Sequence, residues 1–150
     1  MDITRYRTIV RVGGAYDLIV TFPFAIPYLA STQIALLASL NQYLGFSGSI
    51  PSFEPLHLLF INLFGMIVAF WSVLRIHKGE PIFGLYDGVG RFLFASLMIF
   101  YLISYHVSQV VVLFLIPEII FGVIQLYGYW RLQQSEDISK LGQYENRVQK

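Results

Sequence analysis

Four ionisable side chains lie within long apolar stretches of the sequence: Asp17, Asp87, Arg91 and Glu118. The stretches are long enough to cross a bilayer, where a charged group costs at least about 2.5 to 3.5 kcal/mol on insertion scales. Each of the four therefore needs an ionic or hydrogen-bonding partner, or a functional role. They are the first candidates for a site.

Asp87 and Arg91 are four residues apart, so on a helix they form a favourable ion pair with the acid on the N-terminal side. Asp17 lies six residues beyond Arg11 and at a depth similar to that of Arg91, which predicts an Asp17–Arg91 bridge between two helices. These residues either fasten the helices together near one membrane face or bind an anion or lipid headgroup there. Three nearby glycines would suit a headgroup site or close helix packing equally well: Gly84, Gly88 and Gly90.

Glu118 follows Pro117 near the middle of the last apolar stretch. No cation is expected at its depth on another helix, so burial would favour the neutral acid. Its expected neighbours, if they face inward, are Thr21, Asn62 and Ser96. The carboxyl would then either exchange protons or bind a ligand, or simply make one interhelical hydrogen bond. The sequence leaves both readings open.

Two histidines and a carboxylate, His57, His106 and Glu54, are expected at the opposite membrane face. Such residues can hold a metal ion, and two facing histidines can hold haem. No sequence spacing supports either site, because the residues belong to different elements, and the chain has no cysteine. The sequence therefore predicts no cofactor, although lipid or quinone would suit an apolar site.

The composition indicates a membrane protein, because 56% of the 150 residues are hydrophobic and only 13% are charged. Soluble domains carry about 25% charged residues. The formal net charge of +1 gives no indication of nucleic-acid binding. No phosphate-binding loop, zinc-protease motif or nucleophile elbow occurs in the chain, so an enzyme is not expected.

The elements that must position these residues are predicted to be four transmembrane helices in an all-α bundle, at about 12–30, 56–74, 83–105 and 109–130. The 36 residues between Asp17 and Glu54 carry no charge and would make a helix of about 54 Å, too long for one straight span of about 30 Å. We expect the first span to end at about Ala30, followed by Ser31 as a helix cap and by an outer interfacial helix over about 32–44. One long helix, bent at Pro23 and Pro27, is the alternative.

The second span is expected to end with Trp71, Arg75 and Lys78 at the membrane interface. This division assigns residues 1–132 to a transmembrane domain and 133–150 to a polar cytoplasmic tail. It also puts all ten Lys and Arg residues on one side of the membrane, with none in the two opposite loops. By the positive-inside rule that side is cytoplasmic, so both termini are predicted to be cytoplasmic.

Three stretches resemble small four-span proteins of bacterial inner membranes, loosely of the DoxX-like type: LHLLFINLFGMIVAFWSVLR (56–75), LYDGVGRFLFA (85–95) and PEIIFGVIQ (117–125). The resemblance implies a multi-pass protein of the bacterial cytoplasmic membrane. It carries no motif of known chemistry, so no functional residue is transferred from it.

The favoured hypothesis is a non-enzymatic subunit or accessory component of a membrane complex, in contact with lipids and with other membrane subunits or copies of itself. An alternative is a binder or transporter of a hydrophobic small molecule such as a lipid or quinone. Its candidate residues are Glu118, Asp17, Asp87, Arg91, Asn62 and Thr21. A haem- or metal-binding membrane protein is the remaining alternative.

Overall fold

The computed structural model describes the backbone of residues 1–148 and the side chains of residues 1–135. Helices are the only regular elements in this part of the chain, which confirms the predicted all-α class. The elements are α1 (Ile3–Ala25), α2 (Leu29–Tyr43), α3 (Pro55–Lys78), α4 (Pro81–Ser104), a short 3-10 turn (Gln109–Val111) and α5 (Val112–Val148).

A sharp break separates α1 from α2, whose axes differ in direction by 109°. Pro27 has no backbone N–H and disfavours helical geometry in the residue before it. Ile26 is accordingly extended, with φ −110° and ψ 123°, and Tyr28 takes a positive φ of 66°. The separate second helix is confirmed, and the continuous bent helix is wrong. The prediction of Ser31 as a cap is also wrong, because Ser31 lies inside α2 and Tyr28 precedes its first turn.

Three segments in the described chain are long and apolar enough to cross a membrane: Pro55–Lys78, Pro81–Ser104 and Gln109–Ser135. They match the second, third and fourth predicted spans. Helices α1 and α2 pass the same test only as a bent pair, which would make a fourth. Helix α5 continues to Val148, through most of the predicted tail. The side chains from residue 136 onward and the whole of residues 149–150 lie outside the described part of the chain.

The helices pack as two pairs, α1 against α3 and α4 against α5. Close approach in the first pair depends on Gly65, where an added Cβ would lie 2.5 Å from the backbone nitrogen of Ala25. The pairs meet mainly where α1 contacts α4 and α5. Helices α3 and α4 are joined directly by Gly79 and Glu80 but make few backbone contacts, so a space remains between them.

The bundle has two different ends. At the first, here called the basic end, the Met1 amino group donates to the carbonyl of Arg131 over 3.2 Å, and an added Cβ at Gly79 would contact Arg11. At the other, the loop end, the backbone of Ser47 pairs with Gln109. The exposed cations of the described chain belong to the basic end: Arg5, Arg7, Arg11, Lys78 and Arg131.

Candidate functional site: a cavity with a buried ion cluster

Five charged side chains from four helices meet inside the bundle, and we call them the ion cluster: Asp17 from α1, Arg75 from α3, Asp87 and Arg91 from α4, and Glu118 from α5. Most of the cluster is shielded from solvent, with Arg75 at 0% and Asp17 at 9% exposure. Burying charges at this level is tolerable only when they are paired, because desolvation otherwise dominates. The cluster satisfies this requirement through direct ion pairs.

Both arginines bridge the same two aspartates. Arg75 Nη2 and Arg91 Nη2 each lie 2.5 Å from Asp17 Oδ2, while Arg75 Nη1 and Arg91 Nε both contact Asp87 Oδ2, the second over 3.0 Å. Arg91 Nη1 reaches Glu118 Oε2 at 3.2 Å. The predicted Asp17–Arg91 bridge and the predicted Asp87–Arg91 pair are confirmed. Arg75 is a second arginine that pairs with the same aspartates.

Neutral groups complete the surroundings of Asp87. Trp71 Nε1 donates to Asp87 Oδ1 over 3.1 Å, and Gln125 Nε2 donates to Oδ2 over 2.8 Å. The ring of Phe121 covers the guanidinium of Arg91 at 5.0 Å from its centroid, a cation–π arrangement. Asp87 is thus held by four donors, and its position is fixed from three helices.

Two predictions about the cluster are wrong. Arg75 was expected at the membrane interface but is fully buried, and Glu118 was expected to lack a cation but pairs with Arg91. The buried residues of α3 recur at helical spacing, Gly65, Ala69, Ser72 and then Arg75. This stripe of small residues was a readable signal in the sequence for the inward face of α3.

A cavity of about 960 Å³ lies between α3 and α4 and reaches from the ion cluster toward the loop end. Its side opens between these helices, because wall residues such as Phe60 and Leu97 remain 62% and 57% exposed. Residues 49–51 and 107–108 line it at the loop end. Aliphatic and aromatic side chains form most of its wall, and the aromatic ones are Tyr16, Phe24, Phe53, Phe60, Phe64, Trp71, Tyr86, Phe94 and Phe114.

All five members of the ion cluster line this cavity. Two carboxylate oxygens, Asp17 Oδ1 and Glu118 Oε1, accept no hydrogen bond from the described residues. The cavity therefore joins a long apolar wall to a polar end with spare acceptors. That combination is typical of a site for an amphiphilic small molecule.

The other candidates for Glu118 contacts have different partners. Thr21 lines the cavity but donates to the carbonyl of Asp17 on its own helix over 2.6 Å. Asn62 Nδ2 donates to the carbonyl of Phe24 over 2.9 Å, and Ser96 donates to Leu93 within α4. None of the three donates to Glu118. Asn62 instead fastens α3 to the end of α1.

The three glycines of α4 divide between packing and the cavity. An added Cβ at Gly84 would collide with Tyr6, and one at Gly88 would lie 2.8 Å from Leu126. Both positions therefore allow close helix approach. A Cβ at Gly90 would meet nothing within 4 Å, and Gly90 lines the cavity.

The histidines and Glu54 do not converge. The backbone N–H of Glu54 donates to His57 Nδ1 over 3.2 Å at the start of α3, and the ring of Phe53 packs edge-on against His57. His106 lies in the α4–α5 connection with φ 49°. Within residues 1–135, no three His, Asp or Glu side chains are grouped so that they could hold a metal ion.

No protein-family model, curated protein or solved structure matches the chain. The coarser part of the resemblance holds, since the chain has the apolar helices of a small multi-pass membrane protein. The cavity and its ion cluster are therefore the features of this chain that point to a function.

Proposed function

We propose that this protein binds an apolar or amphiphilic small molecule of the lipid or quinone kind in the cavity between α3 and α4. The observation that carries the proposal is the cavity itself, about 960 Å³ in volume, with an apolar wall of aliphatic and aromatic side chains that ends on the ion cluster. Ligand sites in proteins measure about 300 to 1,000 Å³ and combine an apolar lining with a few polar groups.

The open side of the cavity suits entry from the lipid phase. Acyl chains are as apolar as the cavity wall, so apolar contact alone gives a ligand little reason to leave the bilayer. Selectivity must then come from the polar end, where Asp17 and Glu118 each have an oxygen that accepts no hydrogen bond from the described residues. This division of roles accounts for a charged cluster beside an otherwise apolar space.

The proposed setting is the bacterial cytoplasmic membrane, with the basic end and both termini on the cytoplasmic side. The exposed cations at the basic end support this orientation through the positive-inside rule. A DoxX-like relationship and a role as a subunit of a membrane complex stay predictions. For the subunit hypothesis, a particle much larger than 17 kDa plus its detergent would be expected after gentle extraction.

Binding can be measured by the fluorescence of Trp71, since the chain has only two tryptophans and Trp130→Phe leaves Trp71 as the single reporter. The protein would be placed in phosphatidylcholine nanodiscs and titrated with decylubiquinone, a quinone that quenches tryptophan on contact. We expect quenching that saturates. Quenching that rises linearly, as for a quinone merely dissolved in the bilayer, would contradict the proposal.

The matched variants are Gly90→Phe and Val89→Phe in that same background. An added Cβ at Gly90 meets nothing within 4 Å and Gly90 lines the cavity, so we expect phenylalanine there to obstruct the polar end, and it would also remove a helix-weakening glycine. Val89 is exposed and does not line the cavity. We expect Gly90→Phe to weaken quinone binding at least about tenfold, and Val89→Phe to leave it unchanged. Equal affinities in the two variants would place the quinone elsewhere.

A further inference from the structure

We infer that the polar end of the cavity selects a ligand headgroup that donates hydrogen bonds, a protonated amine above all, over an anionic headgroup. The inference rests on the proposed function, since it names the class of ligand for the same cavity. Three carboxylates and two guanidinium groups make up the ion cluster. With every group charged, the cluster carries a formal charge of −1.

Unused acceptors are present at the cavity. Asp87 is saturated, but Asp17 Oδ1 and Glu118 Oε1 accept no hydrogen bond from residues 1–135. Asp17 is only 9% exposed, and both residues line the cavity. Neither oxygen is among the fully buried polar atoms of the described chain that lack a partner, so a ligand donor can reach it and make a charge-assisted hydrogen bond.

The guanidinium groups, by contrast, are already compensated by carboxylates. Each of the three nitrogens of Arg91 contacts a different carboxylate. Both Nη atoms of Arg75 are engaged, and its Nε, which lacks a partner among the described residues, is buried. An anionic headgroup would therefore meet guanidinium groups already paired with carboxylates, and it would add a further negative charge to a cluster whose formal charge is −1. The anion-site alternative raised by the sequence is not favoured by this arrangement.

An alkylammonium group complements the cluster in charge and in geometry. It carries three N–H donors and one positive charge, so three positive groups would face three carboxylates. Charge-assisted hydrogen bonds are roughly twice as strong as neutral ones. A hydroxyl would donate a hydrogen bond to one free carboxylate oxygen without balancing the charge of the cluster. A quaternary ammonium would balance that charge but has no N–H to donate.

Four twelve-carbon competitors separate these contributions: dodecylamine, dodecyltrimethylammonium, dodecanol and dodecanoate. Each competitor would be titrated against decylubiquinone bound to the Trp130→Phe protein in phosphatidylcholine nanodiscs at pH 7. The competitor concentrations would be corrected for partition into protein-free discs. We expect dodecylamine to displace quinone at least about tenfold more tightly than dodecanol or the quaternary amine, and dodecanoate to be weakest. Dodecanoate binding as tightly as dodecylamine would overturn the inference.

Substitutions of Glu118 and Asp17 test whether their carboxylate oxygens cause the preference for an amine over an alcohol. Glu118→Gln is the main one, because Glu118 makes a single ion pair, and Asp17→Asn is the second. We expect each to reduce the amine-over-alcohol preference at least about fivefold. Glu80→Gln is the matched control, since it removes a negative charge at an exposed position outside the cluster.

The outcomes separate the two proposals. Saturable quinone binding with dodecylamine no better than dodecanol, or with a preference unaltered in both cluster variants, would overturn the headgroup inference and leave the cavity proposal standing. Quenching that never saturates, with no displacement by any competitor, would refute the cavity proposal. A preference lost in the cluster variants and kept in Glu80→Gln supports both.

Discussion

The two ends of the cavity are fastened by different chemistry. At one end, five charged side chains from four helices form the ion cluster. At the loop end, one neutral side chain, Asn41, makes four hydrogen bonds and is only 5% exposed. Its Nδ2 donates to the carbonyls of Phe46 and Gly48, and its Oδ1 accepts from the Ser108 hydroxyl and the Val110 N–H.

The difference lies in what remains after one group is removed. In the ion cluster, the loss of a cation leaves carboxylates buried and unpaired, at a cost of several kcal/mol. At the loop end, the loss of Asn41 would leave only neutral groups without a partner, at a cost of about 1 to 3 kcal/mol. We therefore expect the ion cluster to hold the helix pairs together, and the loop end to open at a lower free-energy cost. The following substitutions test that ordering.

The largest expected effect is that of Arg75→Leu. Arg75 lies between Asp17 and Asp87, so its removal leaves two buried carboxylates to share Arg91 with Glu118. The free energy of unfolding should fall by about 3 to 5 kcal/mol. The measurement is reversible unfolding by dodecyl sulfate in mixed micelles, followed by far-ultraviolet circular dichroism.

Two further variants control for charge and geometry. Arg5→Leu removes an exposed cation with no ion pair in the described chain, and the stability should change by less than about 0.5 kcal/mol. Arg75→Lys keeps the charge but loses the planar fork that bridges two carboxylates, so an intermediate loss is expected. If Arg75→Leu were no more harmful than Arg5→Leu, the ion cluster would not be the main fastening.

The intermediate effect is that of Asn41→Ala at the loop end. It removes both side-chain donors and the acceptor for Ser108 and Val110, which should lower the free energy of unfolding by about 1 to 3 kcal/mol. Gln42→Ala, an exposed neighbour on α2, should be near neutral. A loss as large as that of Arg75→Leu would show that hydrogen-bond number, rather than charge, decides the ordering.

The fold was largely readable from the sequence, because span length, apolar character and Pro27 each have direct local consequences. The same holds for Asp87–Arg91, a pair within one helix, and for Asp17–Arg91, which needed only matched depths. Arg75 and the Arg91–Glu118 pair were missed because depth along a helix does not fix its rotation. A long guanidinium side chain also places its charge well away from its own backbone.

Asn41 was missed for a related reason. Its partners Ser108 and Val110 are 67 and 69 residues away in the chain, so these contacts depend on how α2 meets the connection between α4 and α5. A polar residue near the end of an apolar run suits the membrane interface equally well, so the sequence favoured that interpretation. Local patterns predict the elements, whereas the cluster and the Asn41 network come from the way the helix pairs dock.

The smallest expected effect, that of Gln109→Ala, tests whether burial decides the cost of losing a neutral hydrogen-bonding side chain at the loop end. Gln109 Oε1 accepts from the Ser47 N–H over 2.9 Å, but Gln109 is exposed, and its own N–H keeps its bond to the Ser47 carbonyl at 3.0 Å. Water can replace the lost acceptor, so the free energy of unfolding should fall by less than about 0.5 kcal/mol. A loss equal to that of Asn41→Ala would mean that burial is not what makes Asn41 costly to remove. A small loss would place the three substitutions in order of their effect on the free energy of unfolding. The loss of a buried charge would be the most costly, that of a buried neutral polar group less so, and that of an exposed hydrogen bond the least.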